Sequence, residues 1–100
     1  MYNKQTAILI DCFDTLAGFP FSVSDTEKQA LAQSIIETLG DYPKPQHKGD
    51  TTETGAYIFV SMARNTAKMA KLGYMPYSFA FSDIASYFER ALGLLTDERK

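Results

Sequence analysis

Ser24-Asp25-Thr26-Glu27 reads as a capping box, in which the serine hydroxyl accepts from the Glu27 N–H while the glutamate reaches back to the serine N–H. Behind it Leu31, Ile35 and Leu39 recur every four residues, with Ala32 and Ile36 beside them. That spacing predicts a helix over 25–39 with one apolar stripe, and Gly40 stands where a left-handed residue would end it. A helix with one apolar stripe is stable only against another apolar surface. The rest of the chain has to supply it.

Three other segments offer such surfaces. Asp50-Thr51-Thr52-Glu53 repeats the capping pattern, with Asp50 as N-cap, and opens a predicted helix over 51–72. There Ser61, Arg64, Lys68 and Lys71 share one face, and Ile58, Phe59, Met62, Met69 and Leu72 are expected on the buried side. The basic groups fall in its C-terminal half, where the helix dipole favours each by roughly 0.3–1 kcal/mol. A third helix is predicted over 82–95, capped by Ser82, with Ile84, Phe88, Ala91 and Leu95 inward. The remaining segment, 4–17, reads as a helix capped by Asn3 and ended by Gly18, with Leu9, Phe13 and Leu16 on one face. Asp11 and Asp14 then share the solvent edge. The apolar run Ala7–Ile10 leaves a buried strand as the alternative for this segment. Gly18, Gly40, Gly73 and Gly93 read as the four stops.

The stretch "AILIDCFDTLAG" at 7–18 resembles motif I of the haloacid-dehalogenase-like phosphohydrolases, in which an apolar strand ends in paired aspartates followed by threonine. The resemblance implies Asp11 as a nucleophile taking a phosphoryl group, with Mg²⁺ offsetting the charge. In that family the general acid stands two places after the nucleophile. Here Phe13 stands there and Asp14 follows it. "AYIFVS" at 56–61 and "FAFSDIAS" at 79–86 are similar to that family's serine and acidic motifs, but too little chain separates them for its crossover helices. A truncated or inactive relative of these Mg²⁺-dependent phosphohydrolases, using Asp11, is the alternative reading of function.

Composition narrows the remaining choices. One hundred residues, 45% of them hydrophobic, form one domain able to bury a core without a disulfide or structural metal. A net charge of −2 provides no field that would attract nucleic acid or an anionic membrane, so direct nucleic-acid binding is not expected. Cys12 and His47 are single, which removes intramolecular disulfides, cysteine-based zinc sites and His–His metal motifs. No metal or other cofactor is expected. The N-terminal apolar run meets Asp11 too soon for a signal peptide or a membrane span, and a cytoplasmic setting is the expectation.

The expected architecture is thus all-α: a compact bundle of about four helices in one domain, residues 1–100, with a Pro-rich loop between the second and third. Lacking a nucleophile set, a metal set and a phosphate loop, such a chain is expected to act by binding another protein or protein complex. A regulator or inhibitor is the expectation, and small phage or mobile-element proteins that disable host defences share this profile. The expected contacts are the loop residues Tyr42, Pro43, Lys44, Pro45, His47 and Lys48, the basic stripe Arg64, Lys68 and Lys71, and Tyr74 and Tyr77 of the aromatic turn "YMPYSFAF" at 74–81. The Tyr42–Pro43 bond is a candidate for cis–trans heterogeneity.

Overall fold

The apolar stripes find one another as helix against helix. The computed structural model describes residues 4–45 and 51–97, and in it the chain forms α1 (Lys4–Ala17), α2 (Asp25–Gly40), α3 (Thr51–Lys71) and α4 (Tyr77–Asp97). The described residues contain no strand. The protein is an all-α four-helix bundle. Residues 7–10 lie inside α1, so the strand that the phosphohydrolase motif requires is a helix here. Asp11 and Asp14 are both exposed on it.

α3 and α4 form the most extensive contact, α2 packs on α3, and α1 packs on α4. α1 and α2 touch much less, and a cavity of about 70 Å³ lies between them, lined by Asp11, Cys12, Thr15, Leu31, Ser34, Ile35 and Thr38. Phe81, Ile84 and Phe88 of α4 and Leu9 of α1 are the largest side chains fully removed from water. Each such burial contributes about 1.5–3 kcal/mol, so α4 is the element around which the core is organised.

The caps explain where the elements begin and end. The Ser24 hydroxyl accepts from the Glu27 N–H at 3.4 Å, as the capping box requires. The α3–α4 turn is a Schellman motif: Tyr74 N–H donates to the Met69 carbonyl at 3.0 Å and Gly73 N–H to that of Ala70 at 3.1 Å. Gly73, with φ of 86°, is the one described residue in the left-handed region. The other three expected stops act differently. Gly40 is the last residue of α2, whose C-cap is Asp41 with φ of −91°. Gly93 lies inside α4, and Gly18 closes α1 with negative φ, its N–H donating to the Asp14 carbonyl at 3.0 Å. The expected caps Asn3 and Asp50 lie outside the described residues.

Two expectations about helices need correction. α4 starts at Tyr77 rather than at Ser82, so most of the aromatic segment is helix rather than turn. Pro76 fixes the φ angle that a helix start needs, and its carbonyl accepts the Ala80 N–H at 3.0 Å. Ser82 is an exposed position in the second turn. The inward face of α3 is the second correction. Ile58, Met62, Met69 and Leu72 are exposed, while Ala56, Val60, Ala63, Ala67 and Ala70 are buried. The buried set recurs at steps of four and three, and its small side chains leave room for Phe81, Ile84 and Phe88 of the neighbouring helix. Near one end of the same contact Gly55 leaves space for Leu94: a Cβ there would lie 3.0 Å from Leu94 Cδ1.

A candidate binding groove between the first and last helices

The short 18–24 connection carries Phe19, Pro20 and Phe21 over the end of α1 toward the start of α4. There three phenylalanines and a tyrosine meet. Phe19 stands edge-on to both Phe21 and Phe81, with ring centroids 6.2 and 6.0 Å apart, and Tyr77 stacks on Phe81 at 5.7 Å. Contacts of this geometry add roughly 0.5–1.5 kcal/mol beyond burial, which holds the connection against the helices.

Beside this cluster a groove of about 410 Å³ opens between α1 and α4. Leu16 and Phe81, both buried, form its floor; Phe13, Ala17, Phe21 and Ala85 form its walls; Ser78 and Ser82 supply the only hydroxyls. Phe21 is 51% exposed there, and Phe79, on the next position of α4 after Ser78, is 67% exposed. The groove falls within the usual size range of ligand and anchor-residue pockets and is mostly apolar. It can take an uncharged side chain or molecule. Its residues include no ionisable group to drive chemistry.

The expected contact residues are scattered. Tyr42 is buried, 5% exposed, because its ring packs toward Tyr57 of α3 at 6.2 Å; it is a core residue and not a loop contact. Among the described residues its hydroxyl has no hydrogen-bond partner. Burial, and then the charge of Glu53, push its pKa up to about 12. The Tyr42–Pro43 peptide is trans, Pro43 and Pro45 are half-buried, and Lys44 is exposed. His47 and Lys48 lie outside the described residues.

The basic stripe divides as well. Arg64 lies at the C-terminal end of α2, with Nη2 3.5 Å from where a Gly40 Cβ would sit, and Lys71 donates to Gln33 Oε1 of α2. α2 has no basic residue in its own last turn, so Arg64 brings a cation to the negative end of its dipole. Only Lys68 of the three is exposed. Tyr74 is exposed and Tyr77 half-buried under the aromatic cluster, so the structure brings Tyr77 close to the groove, while none of the other described contact residues lines it.

In the sequence alone Phe13 and Leu16 read as core and Phe81 as part of the aromatic turn, while Phe21 and Ala85 carry no site signal. The signal present was the density of phenylalanine at 13–21 and 79–88, which marks two apolar surfaces but not that they face each other.

Cys12 lies under the α1–α2 cavity, where burial and then the neighbouring Asp11 charge push its thiol up to about 11. Such a thiol is almost wholly protonated near neutral pH and is a poor nucleophile. Among the described residues no three His, Cys, Asp or Glu side chains converge as a metal site, and no helix is long and apolar enough to cross a membrane. No protein-family model, curated protein or solved structure matches the chain.

Proposed function

We propose that the protein is a binding module that acts on another protein, holding an apolar anchor side chain of that partner in the α1–α4 groove. The observation that carries this reading is apolar exposure both in the groove wall, at Phe21, and outside the groove, at Phe79 beside Ser78. A small molecule lying between Leu16 and Phe81 would leave Phe79 in water. A protein surface laid across α4 would cover both, and buried aromatic anchors ringed by such contacts carry most of the energy at protein interfaces. Regulation or inhibition of the partner follows from occupancy alone and needs no chemistry from this chain.

Ser82→Arg tests the reading, because an exposed position at the groove edge would receive a long cation that overlies the apolar floor. The expected outcome is that a partner captured by the wild-type protein binds the variant at least tenfold more weakly by titration calorimetry, with thermal unfolding unchanged. An unchanged affinity would remove the groove from the reading.

A further inference from the structure

The outward side of α3 carries a second apolar surface, separate from the groove. Ile58, Met62, Asn65, Met69 and Leu72 follow one another at steps of four, three, four and three, so they form one straight row. All five are exposed, Ile58 by 52% and Leu72 by 72%. The row lies on the opposite side of the helix from the buried alanines and is open to water, Leu72 at its end also bordering a cavity shared with Gln33 and Ile36 of α2.

We infer that this row is a self-association face, on which a second copy of the chain lays its own α3 antiparallel. The row's own pattern identifies the occupant. Counted outward from Asn65, apolar residues stand at three and seven positions before it and at four and seven after it, so the pattern is nearly unchanged by reversal. A two-fold axis at Asn65 therefore sets Ile58 on the second copy's Leu72 and Met62 beside its Met69. An isologous contact requires this self-complementarity. Asn65 sharpens the choice. A wholly apolar partner groove would strip water from its carboxamide and leave it unpaired. On the axis it meets its own copy, and each carboxamide offers both a donor and an acceptor. Charge agrees: along one flank of the antiparallel pair Lys68 falls opposite Ser61 of the second copy rather than opposite another cation, and the chain's small net charge adds little repulsion.

Sedimentation equilibrium reads the outcome directly. A species of twice 11.2 kDa is expected. Met62→Glu with Met69→Glu, both at exposed positions, is expected to weaken self-association at least tenfold while the circular-dichroism melt is retained. Orientation is read by cysteine crosslinking in a Cys12→Ala background. Asn65→Cys should oxidise to a disulfide-linked dimer, and Ile58→Cys should not, because antiparallel pairing holds the two copies of that position about 20 Å apart. A protein that stays at monomer mass up to about 1 mM overturns the inference. So does a dimer that survives the paired glutamates, or Ile58→Cys crosslinking as readily as Asn65→Cys. None of these outcomes depends on the α1–α4 groove.

Discussion

Two sides of one helix are apolar here, and they use opposite residues. Toward the core, α3 presents Ala56, Val60, Ala63, Ala67 and Ala70; toward water it presents Ile58, Met62, Met69 and Leu72. A hydrophobicity scale alone would turn the helix around. Packing does not, because Phe81, Ile84 and Phe88 of α4 already fill the core that α3 faces, and a second row of large side chains there would push the axes apart. Side-chain volume at the contact decides which side of α3 goes inward. The larger apolar row is left over, and an apolar row left in water is a surface available to a partner.

Three measurements break or sharpen that contrast. Ala67→Leu should give the largest effect: three added heavy atoms forced into a fully buried position are expected to destabilise by about 1–3 kcal/mol in urea unfolding. A neutral result would mean that the seam has slack and that volume did not choose the face. The α2-facing side of α3 gives a middle value. Tyr42, packed by Tyr57, titrates near pH 12 in the fold against an ordinary value of 10, so the native state holds its proton longer than the unfolded chain does. Its contribution to stability is complete below pH 10 and falls as pH rises toward 12. At pH 11 a loss of about 1 kcal/mol is expected, absent in Tyr42→Phe, whose stability at pH 7 should match or exceed wild type because the buried unpartnered hydroxyl is gone. The smallest effect belongs to the outward row. Leu72→Ala should change the stability of the isolated monomer by no more than about 0.5 kcal/mol, measured at a concentration below self-association.

Much of the fold was legible in the chain. The Ser24–Glu27 box and the four-residue spacing behind it mark α2 nearly to its last residue, and α1 occupies the expected 4–17. The start of α4 was not legible, because proline before an aromatic cluster reads equally as a turn and as a helix start; the packing of Phe81 into the core decides between them. Which way α3 faced was hidden for a related reason. Alanine scores weakly on hydrophobic pattern, so the steps of four and three from Ala56 to Ala70 were outweighed by the methionines. The groove was hidden altogether. Its walls come from residues 13–21 and 78–85, and nothing local to either segment reports that α1 and α4 are neighbours.

The space left at Gly55 has a consequence for motion along the bundle. A seam lined by alanine is smooth, and two helices in contact over such a seam meet little resistance to sliding past one another along their length. Leu94 seated over Gly55 acts as a detent: displacing α4 by one turn would carry Leu94 off the only position on that row without a side chain and onto neighbours that have one. The axial register of the long hairpin is thus held far from its Gly73 turn, by Leu94 over Gly55 and, one turn further along α3, by the Phe59 ring stacked on Tyr87 at 6.4 Å.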